Sequence, residues 1–175
     1  ARSVLGDGPV HPGALADLRY ASAVVHEALR LHPAGAFAPR VAVVDVAVGD
    51  AVIPRRSAVL WSPYLAGRDP SVWDDPLRFD PDRHLDPTPA ERAVMDEAWV
   101  PFGRGPRRCI GFALAQMELT LIVARWAQRL DLSLVRTETP SPYGMVVNRP
   151  RGGVRVTGAP STSVGSDGSH GPVAP

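Results

Sequence analysis

The sequence predicts an α+β fold that is mainly α, with small β-sheets beside two principal helices. Apolar residues at helical spacing indicate the helices, over residues 14–31 and again over residues 110–130. A valine-rich stretch over residues 39–60 indicates short strands between them. Repeated prolines between residues 70 and 101 exclude long regular elements before the second helix.

The predicted elements follow in a simple order. The first helix carries a stripe of leucine and valine and ends before Pro33. The strand region is broken at Gly49 and at Pro54. The shorter elements are a helical turn over 62–67, a short helix over 90–97, and strands with turns over 132–156. The second helix carries Ile110, Leu114, Met117 and Leu121 on one stripe.

Length and composition limit the class of protein. Residues 1–158 are interpreted as one structural unit, and residues 159–175, rich in glycine, serine and proline, as a disordered tail. No run of eighteen apolar residues occurs, so no membrane span is predicted. A single cysteine excludes an internal disulfide and fits a reducing compartment, so we expect a cytoplasmic location.

That cysteine, Cys109, lies where a glycine- and proline-rich loop over residues 99–108 runs into the second helix. The positive end of a helix favours a thiolate over a thiol, and the adjacent Arg107 and Arg108 act in the same direction. Gly103 and Gly105 permit backbone angles that other residues resist. The sequence therefore predicts a thiolate that attacks a substrate or ligates a metal; the alternative is a buried apolar cysteine beside an arginine-rich surface loop.

The pattern Phe102-x-x-Gly105-x-Arg107-x-Cys109-x-Gly111 resembles the haem-binding signature of the cytochromes P-450, which are haem-thiolate monooxygenases. The resemblance implies that Cys109 is the axial ligand of the iron in haem b and that Arg107 pairs with a haem carboxylate. The other residues that it assigns to cofactor binding are Pro101, Phe102, Gly103, Ile110, Gly111 and Ala115.

A second motif lies on the first helix, where Glu27 and Arg30 stand at positions i and i+3 and can form an ion pair. On an apolar helix such a pair requires further partners; the alternative is an ordinary surface pair. Glu27-x-x-Arg30 resembles the family's E-x-x-R helix. Pro81-Asp82-Arg83-His84 resembles its P-E-R-F segment, although Asp82 and His84 depart from it. The resemblance implies a structural cluster of Glu27, Arg30 and Arg83.

The spacing of the histidines in the sequence does not predict a metal site. His26-Glu27 begins like a zinc-binding H-E-x-x-H motif, but Arg30 stands where the second histidine is required. All five histidines are therefore interpreted as ordinary residues.

The resemblance assigns further contacts around the cofactor. Arg40, just after the E-x-x-R helix, is expected to contact a haem propionate. The segments around residues 34–38 and 141–147 resemble parts of the family's substrate cavity, and the lining residues expected there are Ala36, Phe37, Gly144 and Met145. Arg104 and Arg108 are candidates for contact with a ferredoxin- or flavin-type electron donor, which would deliver electrons from NAD(P)H.

The implied parent function is the insertion of one oxygen atom of O2 into a small organic substrate. The family's long oxygen-activating helix is expected upstream of the E-x-x-R helix. The resemblance therefore implies that residues 1–158 are the C-terminal part of the family's fold, a fragment or one half of a split enzyme that is incomplete for catalysis alone. A non-catalytic haem-thiolate module is the main alternative. A weaker one is a nucleic-acid binder built on Gly103-Arg104-Gly105, which a net charge of +1 does not favour.

Overall fold

The computed structural model describes residues 2–6, 8, 11–135, 138, 140–144 and 147–161. The α-helices are α1 Arg2–Leu5, α2 Arg19–Leu31, α3 Pro63–Ala66, α4 Pro89–Ala98 and α5 Phe112–Arg129. Short 3-10 turns occupy Pro12–Asp17, Pro81–His84 and Gly105–Arg107. The strands are β1 Ala38–Val41, β2 Val46–Val48, β3 Ala51–Ile53, β4 Ala58–Trp61, β5 Leu130–Leu134, β6 Pro142–Tyr143, β7 Arg149–Pro150 and β8 Val156–Pro160.

Strands pair two by two in the described part of the chain, always antiparallel: β1 with β4, β2 with β3, β5 with β8 and β6 with β7. The α+β class, mainly helical with small sheets, is confirmed. Pro160 pairs with Leu130, so β8 extends into the segment predicted to be a disordered tail from residue 159 onward. Residues 162–175 of that tail lie outside the described residues.

Both long helices are shorter than the sequence predicts. Helix α2 begins at Arg19 rather than at residue 14, because a separate 3-10 turn precedes it and the backbone of Leu18 leaves helical geometry at ψ 38°. Helix α5 begins at Phe112 rather than at residue 110, since Cys109 and Phe112 close a turn of their own. The short helix α4 is fixed by a reciprocal cap between Thr88 and Glu91.

The core lies between α2 and α5, where Leu18, Ala21 and Ala124 are buried together. Two of these residues are alanines, and their small side chains permit the close approach of the helices. Buried polar groups accompany them, namely Glu27 and Arg30 on α2 and Thr120 and Gln128 on α5. None of the helices in the described ranges combines the length and apolar character that a membrane crossing requires.

Candidate functional site

The loop that carries Cys109 folds back on itself. The Cys109 N–H donates to the carbonyl oxygen of Phe102 at 2.8 Å, and the Gly103 N–H donates to Val100 at 3.0 Å. Gly103 has φ 74° and Gly105 has φ 67°, which are left-handed backbone angles that glycine adopts without a Cβ clash. The fold of the loop leaves Cys109 exposed.

Cys109 precedes the first helical residue of α5 by three positions, and Gly111 caps the helix. A Cβ added at Gly111 would lie 4.0 Å from the sulfur, so this glycine leaves open space beside Cys109. The neighbouring Ile110 is fully exposed. An accessible sulfur, an exposed apolar side chain and a missing Cβ together make a surface on which a flat apolar group can lie.

Two arginines predicted to meet haem carboxylates line one cavity. Arg40 comes from β1 and Arg107 from the 3-10 turn just before Cys109, and they share an open cavity of about 600 Å³. Arg40 Nη1 donates to the carbonyl of Pro39 at 2.8 Å. Neither guanidinium has an ion-pair partner among the described residues. Both are therefore open to an anionic group.

On another side of the loop, Arg104 and Arg108 line a larger cavity of about 820 Å³. Arg104 pairs with Glu97 at 3.2 Å, and both side chains are mostly exposed. The Arg108 guanidinium lies 3.4 Å from the centre of the Phe112 ring. Both arginines are thus on the surface, but in different surroundings from Arg40 and Arg107.

Glu27 and Arg30 form a buried, bidentate ion pair on α2. Arg30 Nε donates to Glu27 Oε2 at 2.7 Å, and Arg30 Nη2 donates to Glu27 Oε1 at 2.8 Å. Neither side chain has solvent-exposed surface. The alternative of an ordinary surface pair is therefore wrong. A bidentate ion pair that is fully buried requires hydrogen-bond partners for its remaining donors and acceptors.

The other N–H groups of Arg30 donate hydrogen bonds to backbone carbonyls that follow α3. Its guanidinium donates to the carbonyls of Gly67, Pro76 and Arg78, the last two at 2.7 Å and 3.0 Å. The ring of Trp73, itself buried, lies 5.1 Å from the guanidinium carbon. One arginine thus holds the proline-rich segment against α2.

The Glu27 carboxylate has three further hydrogen-bond partners, in the 3-10 turn Pro81–His84 and in the residue that caps it. The N–H of Asp80 donates at 2.9 Å and Arg83 Nε at 3.1 Å, both to Oε1, while His84 Nε2 lies 3.0 Å from Oε2. Burial alone raises the pKa of Glu27, but the hydrogen bonds from Arg30, His84 and the Asp80 N–H hold the pKa of the carboxyl well below its usual range. Glu27 is therefore a carboxylate at every physiological pH.

The sequence does not predict His84 as a member of this cluster, because there it reads as an ordinary histidine that departs from the family's pattern. Nor does the sequence predict Trp73, which packs on Arg30 and donates its indole N–H to the carbonyl of Ala66 at 2.9 Å. One signal could have found His84: a buried carboxylate needs several donors, and the motif that supplies Arg83 carries a donor in the next position.

The two segments expected to line a substrate cavity lie together. Asn148 donates its N–H to the carbonyl of Ala34 at 2.6 Å, which ties the β6–β7 hairpin to the segment after α2. Ala36 accepts a hydrogen bond from the Ser62 hydroxyl at 2.6 Å, and Phe37 is 40% exposed. Gly144 lies between the two strands of that hairpin, whereas Met145 lies outside the described residues.

The remaining predicted cofactor residues belong to the loop and to the first turn of α5. Pro101 starts the turn that includes Phe102, and the Ala115 N–H donates to the carbonyl of Gly111 at 2.9 Å. No cluster of three or more His, Cys, Asp or Glu side chains suited to a metal ion occurs in the described ranges.

Comparison with known proteins assigns a family to this arrangement. The family model described as Cytochrome P450 matches residues 2–154. Valine N-monooxygenase 2 of Manihot esculenta is 38% identical over 128 residues, which cover 73% of this chain and 24% of that protein. Ferruginol synthase of Salvia miltiorrhiza is 36% identical over 156 residues, covering 85% and 31%.

A solved structure, retinoic acid bound cyanobacterial CYP120A1, superposes with a TM-score of 0.79 at 27% identity, over 87% of this chain and 35% of that chain. The curated relatives above are matched over only 24% and 31% of their length.

Proposed function

Because this chain belongs to the cytochrome P450 family, we propose that it forms the haem-holding part of a monooxygenase, with Cys109 as the thiolate ligand of the iron. The observation that carries the proposal is the grouping around the loop: an exposed sulfur, open space at Gly111, and the arginines Arg40 and Arg107 on one cavity. A porphyrin has the matching features, namely a central metal, an apolar disc and two carboxylates.

The residues of this chain divide the work of holding such a group. Cys109 would hold the metal through its sulfur, since only the thiolate form of cysteine is a strong ligand. Arg40 and Arg107 would pair with the carboxylates at the rim of the group. Gly111 leaves the plane beside the sulfur clear, and the Phe102 carbonyl fixes the backbone of Cys109 through its N–H.

The haem group, when bound, supplies the activation of O2 with two electrons, so that one oxygen atom enters an organic substrate. The residues proposed for substrate contact are Ala36, Phe37, Gly144 and Met145. An electron donor of the ferredoxin or flavin type, fed by NAD(P)H, is proposed to meet Arg104 and Arg108, whose exposed positive charges suit an acidic surface.

A non-catalytic haem-thiolate module is the second candidate, because the grouping around the loop accounts for holding a haem and, among the described residues, leaves the activation of O2 unassigned. In either case the buried cluster of Glu27, Arg30, Arg83 and His84 does no chemistry. It holds the proline-rich segment against α2, and this segment precedes the loop that carries Cys109.

The test is a haem titration of the chain and of its Cys109→Ser variant, followed by reduction and addition of carbon monoxide. The wild-type complex should give the red-shifted Soret band of a thiolate ligand, and the variant should lose it. Survival of the band in the variant would overturn the proposal. Turnover with a reductase then separates the monooxygenase from the non-catalytic module.

A further inference from the structure

His26 contacts both sides of the segment that carries Cys109. Its backbone carbonyl accepts a hydrogen bond from Trp99 Nε1 at 2.9 Å. Its ring nitrogen Nε2 lies 2.8 Å from the amide nitrogen of Gln116. Trp99 lies at the start of the cysteine loop and Gln116 lies on α5 beyond it. One residue of α2 therefore connects the entrance and the exit of the segment 99–116.

The contact on the entrance side continues to the cysteine. The Trp99 ring meets the His26 ring edge-on, with centroids 4.7 Å apart, and lies 6.1 Å from the ring of Phe102. The carbonyl of Phe102 in turn accepts the N–H of Cys109 at 2.8 Å. A chain of contacts therefore runs from His26 through Trp99 and Phe102 to the backbone of Cys109.

The position of His26 on α2 is itself fixed. It directly precedes Glu27, whose carboxylate is held by Arg30 and by the 3-10 turn. The ring of His84, which also bonds Glu27, lies 5.6 Å from the ring of His26. The buried cluster and the cysteine loop thus meet at His26.

We propose that His26 is a positioning residue for Cys109, which holds the entrance and the exit of the cysteine loop at a fixed distance through its carbonyl and its ring. The loop keeps its shape because both anchors are on one residue of a rigid helix. The role of the sulfur as iron ligand rests on the function proposed above, whereas the positioning of the loop does not.

The ring can accept from the Gln116 amide only while Nε2 carries no proton. Burial first, and then the nearby charges of His84 and Arg92, lower the pKa of His26 to about 4, while Asp96 opposes the shift. The imidazole is therefore neutral at physiological pH, and its tautomer with the proton on Nδ1 accepts from Gln116 at Nε2. This supports the geometry on which the proposal stands.

The experiment measures hydrogen exchange by mass spectrometry on the 175-residue chain without haem. The variants are His26→Leu, Gln116→Leu and Trp99→Phe, and His26→Gln is the conservative variant that can still accept a hydrogen bond. His32→Leu is the matched control, because His32 caps the same helix at its far end. Circular dichroism checks that each variant is folded.

We expect exchange in the peptide 100–111 to rise about three- to tenfold in His26→Leu, Gln116→Leu and Trp99→Phe, the effect of losing one hydrogen bond. Peptides covering 19–31 and 78–85 should keep their wild-type rates, and His26→Gln should restore most of the protection. Equal acceleration of all three peptides would reduce His26 to a general packing residue and overturn the proposal. An unchanged peptide 100–111 in all three variants would overturn it as well.

The same variants are then loaded with haem, and the ratio of thiolate to non-thiolate bands is read in the ferrous carbon monoxide complex. His26→Leu should lower that ratio, while His32→Leu should not. Failure of the proposed function would appear as a thiolate band that survives in Cys109→Ser. The exchange result, measured without haem, is independent of that outcome.

Discussion

Gly67 lies directly against the backbone of Arg30, so that a Cβ added at Gly67 would be 2.3 Å from the Arg30 carbonyl oxygen. The backbone of Gly67 itself is helical at φ −70°, so alanine would fit the chain angles but not the space. To relieve the clash of an alanine Cβ with the Arg30 carbonyl, α3 would have to move away from α2. This movement would break the hydrogen bond from Arg30 to the Gly67 carbonyl.

Gly67→Ala should therefore lower the free energy of unfolding by about 3 kcal/mol, at the upper end of the usual cost of overpacking. The measurement is urea unfolding followed by tryptophan fluorescence. Gly8→Ala is the matched control, because a Cβ there would meet nothing within 4 Å. Equal effects of the two substitutions would show that the close approach is unimportant.

The buried ion pair gives the second prediction. Arg30→Leu leaves the Glu27 carboxylate buried without its bidentate partner, and this should cost roughly 3–5 kcal/mol of stability. The control is Arg19→Gln, which breaks an exposed pair with Asp86 and should cost at most about 1 kcal/mol. Folded yield and haem content are measured together. A folded, haem-loaded but inactive Arg30→Leu protein would contradict the structural role.

The third prediction concerns the two arginines on one cavity. Arg40→Gln and Arg107→Gln should each weaken haem binding by about tenfold, since each removes one charge-assisted hydrogen bond to a carboxylate in a partly solvated setting. Haem titration by absorbance provides the affinities. Arg55→Gln serves as control, because Arg55 donates to Val43 in the strand region away from the loop. Unaltered affinity in both variants would remove these arginines from the site.

Acid stability depends on His26. Its pKa is about 4 in the folded chain and 6.5 in its unperturbed state, so between these values the unfolded chain binds more protons than the folded one. The contribution of His26 to stability is therefore full above pH 6.5 and is lost as the pH is lowered toward 4. His84, Arg92 and Asp96 are the charged and titratable groups that act on this ring.

In His26→Gln this part of the pH dependence should vanish, which removes on the order of 1–3 kcal/mol of change between pH 6.5 and 4. Thermal unfolding at half-unit pH steps measures it, with His11→Gln as control. An unchanged slope in His26→Gln would assign the acid loss to another group.

The fifth prediction concerns the surface of α5, where Ile122 and Trp126 are 44% and 54% exposed one helical turn apart. Exposed apolar neighbours of this kind promote association. The isolated chain should self-associate at micromolar concentration in sedimentation velocity, and Ile122→Glu with Trp126→Gln should shift it toward monomer. Val43→Gln, the loss of another exposed apolar side chain, should leave association unchanged.

The helices and the loop can be predicted from the sequence because each requires particular residue types at particular positions. The stripe on α5 and the glycines at 103 and 105 are examples, and the structure gives those glycines positive φ angles. The partners of Arg30 cannot be predicted in this way, because three of them are backbone carbonyls, which every residue carries. The same holds for the Trp99 contact with the carbonyl of His26.

The start of α2 and the membership of His84 were missed for a different reason. Apolar spacing continued through the 3-10 turn Pro12–Asp17, and spacing alone does not distinguish that turn from the helix it precedes. His84 departs from the family pattern at this position, and its hydrogen bond to Glu27 depends on the three-dimensional position of the 3-10 turn.

The spacing of the Glu27 contacts along the chain has a consequence for synthesis on the ribosome. Asp80, Arg83 and His84 follow Glu27 by 53, 56 and 57 residues. At about 5–20 residues per second these partners are made roughly 3–11 s after Glu27. The three backbone carbonyls that bond Arg30 also follow α2 in the chain. A buried ion pair without its further partners carries a desolvation penalty, so burial of this face of α2 should become favourable only after the proline-rich segment has been translated.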